Sequence, residues 1–347
     1  MLVRSLTFTS LLLLALASCS EPREAAPDVS HLDASLEIHR FEQDLFGLDT
    51  NNLAAGLQAL RTEYPEFLDI FTTNVLEIGP IDDPSQAQLD FLRGMIEFPA
   101  LRKLQDTIQI VYPNLSDIQA ELEQALRYYQ YYFPDQPAPQ RLVTYLSEYT
   151  YAAFLYGQND LAVGLDMFLG ADYPYQRFNP GNAYFSNYLI RTYNRDHLTA
   201  KVVRVLVEDL LPPTRGDRLL DMMIENGKRL YFMEKLLPEM ADTVLFEVTP
   251  EQMTWLRDNE LNMWSYFLSE DLLYSSQYQD IRKLVEPSPS GQPILPPESP
   301  GGAANYIGLR IVAAFMERHP ELPLSELLLY NDTQQILDDS RYKPRRQ

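Results

Sequence analysis

The chain of 347 residues contains one cysteine, and that scarcity excludes two common kinds of site. A single thiol, that of Cys19, cannot form a disulfide within the chain, and a structural zinc site normally uses two to four cysteines. Cys19 follows directly after the apolar run LLLLALAS near the start of the chain. That position indicates a residue that is modified during export, and not one that performs catalysis.

Basic residues are also scarce. Lysine and arginine together number 28, against 49 aspartates and glutamates, which gives a net charge of −21. Nucleic acid and anionic lipid surfaces repel such a chain, so nucleic-acid binding is excluded. Hydrophobic residues make up 46% of the sequence, including 22 tyrosines and 16 phenylalanines. This supply of apolar side chains predicts a folded domain with a sizeable core, and not an acidic disordered segment.

Histidine is rare as well, and the four histidines do not form a zinc-binding motif: His31, His39, His197 and His319. A helical zinc peptidase carries His-Glu-x-x-His, because side chains four residues apart lie on one side of a helix and can share a metal ion. In this chain Leu198 follows His197, and Lys201 occupies the fourth position, where a protonated amine cannot coordinate zinc. We therefore predict no metal and no other cofactor, and a surface or helix-capping position for His197.

The motifs of other catalytic classes are missing too. The sequence has no Gly-x-Ser-x-Gly, no Walker motif and no Gly-x-Gly-x-x-Gly. Gly301 and Gly302 precede a predicted helix, where a turn is a simpler explanation than an anion site. Asp160 and Asp166 flank a predicted strand that separates them by roughly 20 Å, too far for an acid–base pair. The prediction is therefore that the protein is not an enzyme.

The start of the chain resembles a bacterial lipoprotein signal. Arg4 precedes an apolar segment that is too short to span a bilayer, and residues 16–19 read Leu-Ala-Ser-Cys. In a lipobox of this form the cysteine thiol accepts the lipid, and cleavage follows between Ser18 and Cys19. We therefore predict a signal peptide over residues 1–18, with palmitate-type acyl chains on Cys19 as the membrane anchor. An ordinary secretory signal with a chance cysteine is the alternative.

Residues 19–35 are polar and contain two prolines, which predicts a flexible tether between the membrane and the folded domain. Ser20 stands after the lipidated cysteine, and the sorting rule of enterobacterial lipoproteins then favours the outer membrane. We expect a lipid-anchored protein that faces the periplasm, on the cell membrane or the outer membrane. The leaflet stays open at this point.

The remaining residues, 36–347, predict a single α+β domain that is predominantly helical. Apolar residues recur at helical spacing through most of this region, and prolines or glycines end several segments. β-branched and aromatic residues concentrate in residues 141–167, which predicts a small, mostly antiparallel sheet with strands near 141–147, 150–156 and 160–167. A further strand is expected to begin near residue 36. Residues 286–304 are rich in proline, glycine and serine and are predicted to form a surface loop.

Six segments occur in an order that resembles the GldB family of gliding-motility lipoproteins from the Bacteroidetes: HRFEQDLF, YPEFLDIF, FLGADYPYQ, NGKRLYFMEKLLPE, WLRDNELNMWSYFLSEDLLYS and NYIGLRIVAAFME. The resemblance implies similarity to predicted zinc peptidases with a zincin-like domain, in which the helix after the sheet carries the metal ligands. The corresponding helix here, around His197, lacks those ligands, so the resemblance implies a metal-free relative. It further implies a role in the envelope machinery for gliding and, by association, in type IX secretion.

Three functions are open on the sequence alone. The first is a membrane-anchored, non-enzymatic assembly or interaction protein that contacts lipid through acylated Cys19 and binds envelope proteins of unknown identity. The second is a zincin-like hydrolase with an unrecognised site. The third is a peptide- or glycan-binding protein, for which we expect a cleft lined by the tyrosines of residues 145–156 and by Trp255 or Trp264. The missing metal ligands favour the first function.

Overall fold

The computed structural model describes residues 25–344, apart from 179, 292–295 and 297. The protein is 59% helical and has a sheet of four strands, which confirms a predominantly helical α+β fold. The predicted signal peptide and the lipid attachment at Cys19 lie outside the described residues. Among the described helices, none combines the length and the apolarity needed to cross a bilayer.

The sheet has the strand order β1–β2–β4–β3, with the strands at Glu37–Arg40 (β1), Arg141–Tyr145 (β2), Ala153–Tyr156 (β3) and Asp160–Gly164 (β4). β1 pairs with β2 in parallel, and so does β2 with β4, while β3 and β4 form an antiparallel hairpin. The prediction of a mostly antiparallel sheet was therefore wrong, because two of the three pairings are parallel. The strand positions follow from local composition, but the pairing depends on contacts between distant segments.

The turn after β2 is bonded to the end of β4. Glu148 and Tyr149 adopt positive φ angles of 53° and 64°, and the Tyr149 amide donates to the side chain of Asp166, just beyond β4. This bond holds the chain that leaves β2 against the carboxyl end of β4, and β3 pairs with the other edge of β4. Both β2 and β4 are buried along nearly their whole length, as is typical of central parallel strands.

Six α-helices lie between β1 and β2, and the longer ones bury one apolar face. They are α1 (Phe41–Phe46), α2 (Leu53–Glu63), α3 (Pro65–Ile70), α4 (Gln86–Glu97), α5 (Pro99–Val111) and α6 (Ser116–Tyr132). α3 continues into a π-helical turn over Phe71–Val75. Pro65 and Pro99 each occupy a first helical position, where the N–H that proline lacks would have no intrahelical partner.

The described part of the chain after β4 contains eleven further α-helices. They are α7 (Tyr175–Phe178), α8 (Asn187–Ile190), α9 (Arg195–Leu210), α10 (Leu219–Leu236), α11 (Asp242–Leu245), α12 (Pro250–Asp258), α13 (Glu260–Ser269), α14 (Tyr278–Val285), α15 (Ala303–Arg318), α16 (Leu324–Leu329) and α17 (Thr333–Ser340). Residues 286–302 separate α14 from α15. One hydrophobic core extends through the domain, from Val29 to Ile336.

The closest helix packing in the domain is between α10 and α15, where two glycines meet. A Cβ atom on Gly308 would lie 1.7 Å from the Met223 carbonyl oxygen, and one on Gly227 would lie 2.2 Å from the Gly308 carbonyl carbon. Only glycine allows the two backbones to come this close. The contact also brings Asn226 and Asn305 together, so that the Asn226 amide donates to the Asn305 side-chain oxygen at 2.9 Å.

Candidate functional site

α9 is the helix that carries His197, which lies in its first turn. Asn194 caps this helix, and its side-chain oxygen accepts hydrogen bonds from the amides of Asp196 (3.0 Å) and His197 (3.3 Å). The same oxygen lies 3.0 Å from His197 Nδ1. Burial lowers the pKa of His197, so the ring is neutral at neutral pH. His197 is therefore part of the helix cap.

One turn further along α9, two cations contact a single carboxylate. Glu247 Oε1 lies 2.9 Å from Lys201 Nζ and 3.0 Å from Arg204 Nη2. Glu247 belongs to the connection between α11 and α12, where it has a positive φ of 54°. Its backbone carbonyl accepts a hydrogen bond from the Arg191 guanidinium. These four residues, Arg191, Lys201, Arg204 and Glu247, are called the Glu247 cluster below.

The cations of the Glu247 cluster keep its carboxylate ionised. Burial by itself would raise the pKa of Glu247, but the neighbouring charges of Arg204 and Lys201 outweigh burial and lower this pKa to about 2. Burial lowers the pKa of Arg191, and the Glu247 carboxylate partly offsets that effect. The Glu247 carboxylate is therefore ionised throughout the physiological pH range.

This arrangement does not fit a zinc ion. Lys201, four residues after His197, is not available as a zinc ligand, because its ammonium group pairs with Glu247. The Nδ1 atom of His197 is engaged with Asn194. Within residues 25–344, as far as they are described, no three histidine, cysteine or acidic side chains come together as metal ligands. The chemistry of the cluster is charge pairing, which can position a loop or hold an anion.

A cavity of about 290 Å³ lies beside the Glu247 cluster. α9 contributes Arg204 and Glu208 to its wall, α10 contributes Asn226 and Arg229, and α15 contributes Asn305. The remaining lining comes from residues before α9, from the segment around Glu247, and from both ends of the 286–302 segment. The Gly227–Gly308 contact positions the asparagine pair on this wall. The cavity is therefore assembled from segments that lie up to about a hundred residues apart.

The arginines of the cavity are held by hydrogen bonds but keep unused donors. Arg204 Nη2 donates to the Leu245 carbonyl at 3.0 Å, and Arg229 Nη1 donates to the Asn226 side-chain oxygen at 2.5 Å. In the described part of the molecule, the Nε atoms of both arginines are buried and make no hydrogen bond. Sequence reasoning missed these residues, although Arg204 is a single basic residue within the apolar stretch VVRVLV, and Arg229 follows Lys228 at the start of the stretch KRLYF.

Gly301 and Gly302 also border the cavity. Gly302 has a φ of +74° and forms the N-terminal cap position of α15, which is the turn that the sequence predicts for this pair. By contrast, the tryptophans and the tyrosines between 145 and 156 do not belong to the cavity wall as described. Tyr145 is fully buried, while Trp255 and Trp264 are partly buried against the core. A second cavity of about 230 Å³ is lined by Tyr156, together with Tyr64 and Phe67, but neither tryptophan borders it. The expected cleft, which combined these tyrosines with Trp255 or Trp264, is therefore formed by neither cavity.

The two aspartates around β4 lie at opposite ends of that strand. Asp160 is its first residue, and Asp166 lies in a 3-10 turn just after it. Asp166 is fully buried and accepts hydrogen bonds from the Ser147 amide (3.0 Å), the Ser147 hydroxyl (3.1 Å) and the Tyr149 amide (2.7 Å). Burial raises the pKa of Asp166 to about 6 against the effect of these donors. Through these hydrogen bonds, Asp166 fixes the turn after β2 to the end of β4.

Comparison with known proteins places the chain among proteins of the cell envelope. No curated protein and no solved structure matches it. A family model described as gliding motility protein GldB matches residues 22–344, which is nearly the whole chain after the predicted signal peptide. The match agrees with the resemblance of the six sequence segments and spans both the sheet and the Glu247 cluster. The chain therefore belongs to the GldB family of gliding-motility lipoproteins.

Proposed function

We propose that this protein is a lipid-anchored, non-enzymatic assembly protein of the cell envelope that works by contact with other components of the gliding machinery. Membership of the GldB family supports the link to gliding. A part in the associated type IX secretion machinery belongs to the same proposal. So does descent from a zincin-like scaffold that has lost its metal ligands.

The observation that carries the proposal is the pairing of Lys201 with Glu247. A metallopeptidase needs neutral or anionic ligands on this face of the helix, together with an open coordination position for water. α9 instead presents an ammonium and a guanidinium, and both are bound to the Glu247 carboxylate. Ion pairs at this position are suited to fixing the shape of a binding surface. They are not suited to activating a water molecule.

Lipid anchoring through Cys19 is the second part of the proposal, and membrane fractionation tests it. We expect Cys19→Ala to leave the fold intact and to move the protein from the membrane pellet to the soluble fraction, because the acyl chains supply the attachment. Ser20→Ala is the matched control, since it keeps the thiol and should stay in the pellet. If Cys19→Ala also stays in the pellet, lipid attachment at Cys19 is wrong.

Action by contact is tested with the lipidated protein in its own envelope. We expect crosslinking and affinity capture to recover a reproducible set of envelope proteins, and we expect Cys19→Ala to lose both that set and the rescue of gliding in a deletion strain. A wild-type protein that captures no envelope protein more than a tag-only control does would contradict the proposal. So would turnover of a peptide substrate that Glu247→Gln abolishes.

A further inference from the structure

The sheet ends in two edge strands, β1 and β3, and β1 is protected against pairing with another chain. Proteins usually protect an edge strand with charged side chains, with proline or with a covering element. β1 reads EIHR, so three of its four side chains are polar. The backbone of Leu36, just before β1, accepts from the Gln119 side chain and donates to the Glu123 side chain, both on α6. This edge of the sheet is therefore occupied by the protein's own polar groups.

The other edge strand, β3, lacks charged residues and proline. It reads AFLY. α9 packs against β3, and so does the Phe67 ring of α3. Ala153, Phe154 and Leu155 nevertheless stay partly exposed, and Tyr151, just before the strand, is 46% exposed. β3 therefore leaves an apolar rim of the sheet open to solvent.

The backbone of β3 points unused hydrogen-bonding groups away from β4. In an antiparallel pair, residues alternate between those that bond to the neighbouring strand and those that face the other way. The Gly164 amide donates to the Ala152 carbonyl, which lies opposite it in the register, so the even-numbered residues bond to β4. Ala153 and Leu155 therefore direct two N–H and two C=O groups outwards. Among the described residues, none bonds to these four groups.

This pattern of donors and acceptors matches an extended polypeptide. A strand offers an N–H and a C=O at every second residue, about 7 Å apart, and a chain laid beside β3 meets the outward groups at the same spacing. The side chains of such a segment lie alternately beside Phe154 on one face of the sheet and beside Ala153 and Leu155 on the other. Both faces of β3 are apolar, so the matching segment is apolar on both faces.

We propose that β3 pairs with an extended, apolar segment of another envelope protein, which adds a fifth strand to the sheet. This inference rests on the proposed function and names the surface through which the contact is made. Four backbone groups give a modest affinity by themselves. Anchoring of both partners at one membrane raises their effective concentration, so a modest affinity is sufficient.

Hydrogen–deuterium exchange of the full-length lipoprotein in detergent, resolved to single amides, tests the open edge. We expect the amides of Ala153 and Leu155 to exchange about a hundredfold faster than those of Phe154 and Tyr156, which bond to β4. The probe is a synthetic peptide that carries the β4 sequence DLAVGL between terminal lysines, because β3 already pairs with that sequence. It should slow the two outward amides by about tenfold, and a scrambled peptide should not. Slow outward amides in the free protein, or no slowing by the peptide, would overturn the proposal.

Leu155→Pro blocks the outer edge and spares the inner one. Proline removes the outward N–H and places a ring carbon in the path of an added strand, while the bonds of Phe154 and Tyr156 to β4 remain. We expect affinity for the DLAVGL peptide to fall by about tenfold or more. Leu155→Val is the matched control, since it keeps the N–H and should bind like the wild type. Circular dichroism checks folding, and Ala153→Pro replaces Leu155→Pro if that variant does not fold. Equal binding by the proline and valine variants would overturn the site.

Capture from the native envelope separates this inference from the proposed function. We expect Leu155→Pro to lose at least one protein that the wild type and Leu155→Val both capture. If Leu155→Pro keeps the whole captured set, β3 is not the contact surface, but the contact role stands. If the wild type captures nothing, the contact role fails, and the exchange and peptide measurements decide the edge by themselves. Capture of only a second copy of this chain would overturn the assignment to another protein.

Discussion

Glu247 and Asp166 are both largely buried carboxylates, but their surroundings shift their pKa values in opposite directions. Glu247 lies between Lys201 and Arg204, and these cations lower its pKa to about 2 in spite of burial. Asp166 accepts hydrogen bonds from Ser147 and Tyr149, and burial raises its pKa to about 6. Burial acts on both groups in the same direction, so the difference comes from the compensating cations.

Asp166 has a structural role, whereas the Glu247 cluster belongs to a candidate binding region. The hydrogen bonds to Asp166 all come from the turn after β2, and they hold that turn against the end of β4. The charges of the Glu247 cluster adjoin a cavity whose arginines keep unused donors. A strongly shifted pKa therefore does not by itself mark a functional site; an adjoining cavity and unsatisfied donors are also needed.

The largest loss of stability is expected from disrupting the close contact between α10 and α15. Gly308→Val should destabilise the protein by about 3 kcal/mol or more, because its side chain would overlap the backbone of α10. Chemical denaturation measures this change. Gly94→Ala in α4 is the matched control, since nothing lies within 4 Å of its new methyl group. It should be neutral or stabilising by up to about 1 kcal/mol, and equal losses in the two variants would contradict the close α10–α15 contact.

A smaller loss is expected from removing the charge of Glu247. Glu247→Gln leaves Lys201 and Arg204 without their shared carboxylate, and we expect a loss of about 3 kcal/mol in the free energy of unfolding at pH 7. Glu208→Gln is the control, because the Glu208 side chain is 49% exposed and its ion pair with Arg229 is loose at 3.5 Å. The control should change stability by less than about 1 kcal/mol. If the two variants lose the same free energy of unfolding, the ion pairs of the Glu247 cluster are no stronger than the exposed pair of Glu208.

The pH dependence of stability should differ in sign between the two acids. Asp166 has a raised pKa in the folded state, so its contribution is full below about pH 4 and is lost as the pH rises through about 6. Glu247 has a lowered pKa, so its contribution is present above about pH 4.5 and is lost as the pH falls towards 2. Each contribution spans roughly 3 to 3.5 kcal/mol, at about 1.4 kcal/mol per pKa unit.

Difference curves isolate the two contributions. The stability of the wild type minus that of Asp166→Asn should fall between pH 4 and 6. The corresponding difference for Glu247→Gln should rise between pH 2 and 4.5. Two difference curves with the same sign would contradict the contrast between the acids.

The smallest effect is expected at His197. His197→Ala removes a contact with the capping oxygen of Asn194 but leaves the cap itself, so we expect a loss of less than about 1 kcal/mol. Asn194→Ala removes the cap and should cost about 1 kcal/mol. Thermal unfolding compares the two variants. A larger loss for His197→Ala than for Asn194→Ala would show that the histidine has a role beyond the cap.

The sequence predicts the parts of this fold that depend on local patterns. Helical periodicity and the aromatic, β-branched region predict the helix-rich fold and the strands of residues 141–164, and the six segments predict the family. The parallel pairing of β2 with β4 was not predictable, because no local pattern in either strand gives its partner or its direction. The glycines of α10 and α15 likewise give no local sign that they meet.

The candidate site could be predicted only in part. Lys201, four residues after His197, shows in the sequence alone that His-Glu-x-x-His is absent, and the structure pairs this lysine with Glu247. Glu247 lies 46 residues further along the chain, in an irregular connection, so nothing in the spacing of the sequence joins it to Lys201. Arg204 and Arg229 lie on two helices whose packing brings them to the same cavity. Such convergence becomes visible only in the folded chain.

The metal content of the native protein tests the central claim most directly. The full-length lipoprotein would be purified from its own envelope, dialysed against metal-free buffer and analysed by mass spectrometry, beside its His197→Ala variant. Because Lys201, four residues after His197, pairs with Glu247 and offers no metal ligand, we expect far less than one zinc ion per chain in both proteins. One tightly held zinc ion per chain, lost in His197→Ala, would contradict a protein that acts by contact.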